Sequence, residues 1–266
     1  MLFVIDIGNS HTVTGLYDGD RLVGQWRLKS DRDKTADELA INSNALFAMA
    51  GIDARRITGI VIASVVPNLE AAWVHCCREH LTPNLHQSPL IISAASVGDL
   101  ITIRTDNPSE VGADRLVNGI AAWNQFRSDL IVIDFGTAIT FDCVTARCEY
   151  IGGIIFPGIG ISLEALATRT AKLPHIDVSA KSEKIIGTTT VEAMRNGILF
   201  GYGAMIDGLA QGISREMAGG KGKNVEVIAT GGMARLIAPY AALIGHIDPN
   251  LTLDGLRIIY DNKRKR

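Results

Sequence analysis

The chain has 266 residues, 47% of them hydrophobic and 20% charged, with a net charge of −2 and an isoelectric point near 6.3. That length and balance suit a soluble globular enzyme of one large or two small domains and exclude a disordered segment. The near-neutral charge points to no nucleic-acid and no membrane surface. The longest apolar runs, such as "ITGIVIASVVP", fall short of the roughly 20 residues of a membrane helix. No basic stretch precedes the first apolar run and Asp6 interrupts it, so no signal peptide is expected and the chain reads as cytoplasmic.

Val4-Ile5 predicts a buried strand, yet Asp6 sits in it, and Gly8-Asn9-Ser10 follow at once. A lone buried carboxylate costs several kcal/mol unless donors or a cation satisfy it. "TADELAINSNALFAMAG" has helical apolar spacing and a Gly51 stop, and "RITGIVIASVVP" reads as a buried strand closed by a proline. "GADRLVNGIAAWNQF" predicts a helix from about Ala113, with Leu116, Ile120 and Trp123 on its apolar side. Asp114 then stands in the first turn, where the positive helix end favours its ionised form. "VIDFGTAITFDCV" repeats the strand, Asp-x-Gly turn and hydroxyl-rich strand of the opening. "VEAMRNGILFGYGAMIDGLAQGISREMAG" is a long amphipathic pattern loosened by Gly197, Gly201 and Gly203. "NVEVIATGG" predicts a buried strand whose Gly-Gly turn opens onto a helix from Met233, and the terminal "DNKRKR" reads as a frayed basic end.

Of the four cysteines, Cys76 and Cys77 are adjacent and Cys143 and Cys148 five apart, which is no zinc spacing, so all read as buried apolar residues. The histidines His11, His75, His80, His86, His175 and His246 form no metal-ligand pattern.

The decisive signal is the repeat. Val4 and Val132, Asp6 and Asp134, Gly8 and Gly136, Thr12 and Thr140, and Gly24 and Gly152 are each 128 positions apart, without a gap. A shift near half the chain length is an internal duplication. In each copy glycine lets the backbone approach a ligand, and successive N–H groups in a tight turn form an anion-binding concavity. Asn9, Ser10, Thr12, Thr137 and Thr140 add short donors. An aspartate repels phosphate, so Asp6 and Asp134 are expected to act through a metal ion or water. Two such hairpins facing one another would clamp the phosphates of a nucleotide. Strands and helices alternate in each half, which predicts an α/β chain of two related domains.

Two duplicated strand-turn-strand phosphate loops resemble the actin, Hsc70 and sugar-kinase superfamily, which implies two actin-like (ribonuclease H-like) domains with an ATP cleft between them. The division expected is 1–116, an N-terminal actin-like domain with the first phosphate loop, and 117–266, a C-terminal actin-like domain with the second loop and the Gly-Gly nucleotide turn. "DIGNSHT", "DNPSEVGADR", "DFGTAIT", "GTTTVEAMRNG" and "ATGGMARLI", in this order, are similar to type III pantothenate kinases over essentially the whole chain.

That resemblance implies phosphorylation of pantothenate by ATP to 4′-phosphopantothenate, the first step of coenzyme A synthesis. It implies ATP contacts from Asp6, Ile7, Gly8, Asn9, Ser10, His11, Thr12, Val13 and Thr137, with Mg²⁺ reached from Asp6 through the phosphates. Pantothenate would be contacted by Gly112, Ala113, Asp114, Arg115 and Thr190, with Asp114 as general base. Asp134 would bind a monovalent cation, potassium or ammonium, and the enzyme would be a homodimer. Arg115 suits a carboxylate as a planar fork, and Thr188, Thr189 and Thr190 together suit a helix cap. Three positions depart from the family pattern: Ser10-His11 in the first loop, Thr105 where a tyrosine is common, and Thr189 before Thr190. The alternative is a non-catalytic ATP-binding regulator or scaffold on the same fold. Such a protein would have no need for the aspartate of "GADR".

Overall fold

The computed structural model describes residues 1–81, 88–219 and 225–265; His86 and Arg266 lie outside them. In chain order the elements are β1 (Leu2–Ile7), β2 (His11–Asp18), β3 (Arg21–Lys29), α1 (Ala36–Met49), β4 (Gly59–Ser64), α2 (Pro67–Cys76), β5 (Leu90–Ile91), α3 (Ala94–Val97), β6 (Thr102–Ile103) and α4 (Ala113–Phe126). There follow β7 (Leu130–Phe135), β8 (Ala138–Val144), β9 (Glu149–Pro157), α5 (Ile159–Arg169), α6 (Thr190–Ala218), β10 (Glu226–Gly231), α7 (Ala234–Ile237), β11 (His246–Ile247) and α8 (Leu251–Arg264).

These elements form two compact units, one of 1–121 with 251–266 and one of 122–250. The units part in sequence between 121 and 122, five residues beyond the expected division at 116 and 117, and 251–266 belongs to the first. The terminal segment returns to the first unit, because α8 has an apolar face that the first sheet covers. Leu251, Leu253, Leu256, Ile259 and Tyr260 are buried. A Cβ added to Gly15 would lie 3.1 Å from Leu253, and one added to Gly59 would overlap the Tyr260 ring and hydroxyl. Tyr17 donates to Asp254 at 2.9 Å.

In the first unit the strand order is β3-β2-β1-β4-β5, with β1 antiparallel to β2 and parallel to β4. Because side chains alternate along a strand, Phe3, Ile5 and Ile7 enter one core with Leu39 and Phe47 of α1 and Leu69 and Trp73 of α2. Val4 and Asp6 stand on the opposite face. Thr35 caps α1 in a capping box with Glu38, and Gly51 follows at φ +68°. Pro67 opens α2 as its first residue as well as closing the strand before it.

In the second unit β11-β10-β7-β8-β9 are neighbours in that order. Ile131, Ile133, Phe135, Ile139 and Phe141 pack with Ile159 of α5, Leu199 and Ile206 of α6 and Ile237 of α7. The long helix α6 runs 29 residues without a break and ends at Gly219 in the left-handed conformation. Its glycines do not loosen it; at Gly203 a Cβ would strike the backbone carbonyl of Tyr240.

As far as Arg264 the terminal basic segment is helical: it is the last turn of α8, where Lys263 pairs with Asp99 at 2.6 Å and the Arg264 guanidinium lies 5.7 Å from the centre of the Tyr260 ring. All four cysteines are buried, and burial pushes the Cys76 thiol up to about 12, out of the nucleophilic range. Leu256 is fully buried between α8 and the first sheet, so Leu256→Ala is expected to cost about 2–5 kcal/mol in urea unfolding. A loss below about 1 kcal/mol would contradict the packing of α8 on this unit.

Candidate functional site

The first candidate loop joins β1 to β2. Ile7 pairs with Thr12, leaving Gly8 to His11 as the turn, closed by the Gly8 amide donating to the His11 carbonyl at 3.1 Å. Asn9, Ser10 and His11 are exposed, and Asp6 is half-buried at the end of the strand. Arg32 donates to the Asn9 side chain at 3.2 Å, placing a cation at the loop that the charged segment "SDRDK" did not reveal. Ile7 and Thr12 are buried, and the Thr12 hydroxyl shares a hydrogen bond with that of Ser30 at 2.9 Å. Their side chains therefore support the loop from the core, and the Thr12 hydroxyl is paired with Ser30.

The second loop is one residue shorter. Phe135 pairs with Ile139, leaving only Gly136 to Ala138, with the Gly136 amide donating to the Ala138 carbonyl at 3.1 Å. The gapless register of the sequence is thus not the register of the sheet. Thr12 stands opposite Ile7, whereas Thr140 stands opposite Asp134. The lost residue is regained in the longer turn before β9, so Gly24 and Gly152 again match.

Around this second loop the structure gathers residues from four elements. A Cβ on Gly158, which caps α5, would overlap the Thr137 carbonyl. Gly231, at φ +88° at the end of β10, comes so near that a Cβ there would lie 2.5 Å from Asp134 Oδ1 and 2.7 Å from the Phe135 amide. Gly231 was legible as a turn, and Gly158 was not singled out at all; only the fold shows that both press on the loop. Asp142 was also missed. It is fully buried and takes hydrogen bonds from Tyr150 at 2.8 Å and Thr140 at 2.9 Å.

The third group opens α4. The Asp114 carboxylate is half-buried and accepts the Arg115 amide at 2.8 Å. A Cβ on Gly112 would come within 2.5 Å of Asp114 Oδ1, so glycine makes the room in which this carboxylate sits. The helix end was expected to favour ionisation. Instead burial pushes the Asp114 carboxyl up, opposed by the Arg115 amide, the Arg115 charge and its own amide. Burial wins because few N–H groups reach it. Ala113 is buried and Arg115 half-buried. Thr105, at the tyrosine position, turns its hydroxyl inward.

Thr190 stands exposed at the first position of α6. The cap itself is Thr189, in a capping box with Glu192, whose carboxylate also accepts the Thr188 hydroxyl at 2.9 Å. That division of labour leaves the Thr190 hydroxyl outside the cap. Among the described residues no group of three His, Cys, Asp or Glu could hold a metal ion.

The model of the family described as type III pantothenate kinase matches residues 2–212. A type III pantothenate kinase of Desulfotalea psychrophila is 59% identical over 266 residues, all of both chains. One of Desulforapulum autotrophicum is 44% identical over 98% of this chain and 97% of its own, and one of Geotalea daltonii 45% identical over all of both. Among solved structures, (R)-2-hydroxyglutaryl-CoA dehydratase component A of Acidaminococcus fermentans superposes with a TM-score of 0.55, covering all of both chains at 13% identity. The activator of 2-hydroxyisocaproyl-CoA dehydratase of Clostridium difficile, with bound ADPNP, does so at 0.53, covering all of this chain and 97% of its own at 12% identity. Those two likenesses show the two-domain actin-like ATPase fold alone. Identity across the whole chain shows more: the chain belongs to the type III pantothenate kinase family.

Proposed function

We propose that this chain transfers the γ-phosphoryl group of ATP to the primary hydroxyl of pantothenate, giving ADP and 4′-phosphopantothenate in the first step of coenzyme A synthesis. The observation that carries the reading is the Asp114 carboxylate, held half-buried beside Arg115 in space made by Gly112. A general base works best with a pKa moved toward the operating pH while it stays ionised. Burial moves Asp114 in that direction. In the proposed step Asp114 takes the hydroxyl proton, the freed oxygen bonds to the γ-phosphorus, and the bond from that phosphorus to the bridging oxygen of ADP breaks. Such transfer is mostly positioning and electrostatics.

The other roles follow the loops. The turn from Gly8 to His11 offers exposed backbone and the Asn9 and Ser10 side chains to phosphate, with Arg32 beside them. Asp6 reaches Mg²⁺ through the phosphates, Thr137 adds a contact in the second loop, and Arg115 and Thr190 meet pantothenate. Asp134 fits a monovalent cation, potassium or ammonium: it is half-buried, closely covered by Gly231, and level with threonines on both neighbouring strands. Oxygen donors of this kind suit a hard cation. When bound, the cations neutralise charge on the phosphoryl oxygens. We extend the reading to a cytoplasmic homodimer; no described helix is long and apolar enough to cross a membrane. A non-catalytic regulator would have no use for a glycine-framed, half-buried Asp114.

The direct assay is ADP release with and without pantothenate in potassium buffer. Asp114→Asn is expected to lower kcat by about 10²–10⁴-fold while Mg·ATP binding, measured by calorimetry, stays close to wild type. Near-normal turnover would remove Asp114 from the role.

The same carboxylate sets a pH dependence of stability. Its folded pKa lies above its unfolded value, so the folded state binds the proton more tightly. The contribution is present below the ordinary carboxylate range and is lost as pH rises through the raised pKa. Asp114→Asn is therefore expected to melt higher than wild type at neutral pH, with the difference closing toward about pH 4. A variant less stable at neutral pH would show that the carboxylate is stabilised, not strained, by its burial.

A further inference from the structure

The two loops differ in what flanks their carboxylates. In the first sheet Asp6 is level with Val13 on β2 and Ala63 on β4, both apolar. In the second, Asp134 is level with Thr140 on β8 and Thr230 on β10, both hydroxyls. Directly opposed side chains across an antiparallel pair have Cβ atoms about 4.5–5.5 Å apart. Hydroxyl-bearing residues therefore stand level with the second carboxylate on both neighbouring strands, and apolar residues level with the first.

One of those hydroxyls is oriented. Thr140 donates to Asp142 Oδ2 at 2.9 Å, and the other oxygen of Asp142 accepts the Tyr150 hydroxyl at 2.8 Å. A threonine hydroxyl has one proton and two lone pairs. With the proton committed to Asp142, the Thr140 oxygen presents only lone pairs to anything else beside it. Next to a carboxylate, such an oxygen attracts a cation and repels phosphate. The fold does not require this arrangement. Asp142 stands opposite Val132, and at the matching place in the first sheet, opposite Val4, the residue is Gly15. A fully buried carboxylate is costly, and here it turns the hydroxyl that stands level with Asp134 on β8.

We propose that Asp142 is a positioning residue for the cation site at Asp134, acting through Thr140, whose oxygen it fixes as an acceptor. Thr230 completes the row of oxygen atoms on the other side, and Tyr150 satisfies the second oxygen of Asp142. This rests on the reading of Asp134 as the monovalent-cation ligand.

The test is potassium binding read two ways. One is the rise in melting temperature of the Mg·ADP complex as potassium replaces tetramethylammonium at fixed ionic strength; the other is the activation curve. Thr140→Val and Asp142→Asn are each expected to raise the half-saturating potassium concentration by about 10-fold or more in both measurements, with kcat largely recovered at saturating potassium. Tyr150→Phe removes a hydrogen bond from the same buried carboxylate but leaves the Thr140 proton where it is, so its midpoint is expected within about threefold of wild type. The proposal is overturned if Thr140→Val stays within that range, or if Tyr150→Phe shifts the midpoint as far as Asp142→Asn does. Should Asp142→Asn fail to fold, Thr140→Val against Tyr150→Phe decides alone. Asp134→Asn separates the two levels: a full potassium response in that variant overturns the Asp134 reading itself, whereas its loss there with no shift in Thr140→Val overturns only the positioning role.

Discussion

A carboxylate at the edge of a hydrophobic interior survives only where backbone can come close enough to satisfy it, and in this protein glycine provides that approach. Gly112 leaves room for Asp114, and Gly231 closes over Asp134. Gly8 lets the turn beyond Asp6 fold back on the His11 carbonyl. In each case a side chain in place of the hydrogen would enter the space of the carboxylate or of the backbone serving it. The placement of the three acids, and with it the reading as a phosphoryl-transfer site, depends on these close approaches.

The duplicated halves share one frame and differ in what stands beside the acid. Both units align an Asp-bearing strand with an antiparallel hairpin partner and a parallel neighbour. The first surrounds its acid with Val13 and Ala63 and presents an open turn of four residues. The second shortens the turn by one residue, which slides β8 and brings Thr140 level with Asp134. A deletion of that kind flips which face each side chain of the strand meets. One residue in a turn thus changes which side chains stand beside the acid, and on the proposed reading it separates a hairpin that meets phosphate from one that holds a cation.

Local signals were legible in the sequence and non-local ones were not. The strands and helices around Asp6, Asp114 and Asp134 followed from apolar periodicity, and the start of α4 at Ala113 agrees with the reading of "GADR". The register of β8 could not be read, because matching residues at a fixed spacing says nothing about which strand position they pair with. The return of α8 to the first unit depends on Gly15 and Gly59, more than 190 positions away, being small enough to admit Leu253 and Tyr260. The upward shift of Asp114 has the same origin: a helix end is visible in sequence, but the burial that outweighs it is tertiary. Asp142 carries no local signal, because its partner Tyr150 comes from the next strand.

Gly112 leaves Asp114 the space in which to hold one position. The Cβ of Gly112→Ala would meet the carboxylate and not the main chain, so the side chain can swing aside while the helix remains. Gly112→Ala is expected to give a folded protein with an unchanged melting transition and a kcat lowered by about 10²-fold, since a displacement near 1 Å at the reacting group has that effect. Turnover within about twofold of wild type in Gly112→Ala would contradict it.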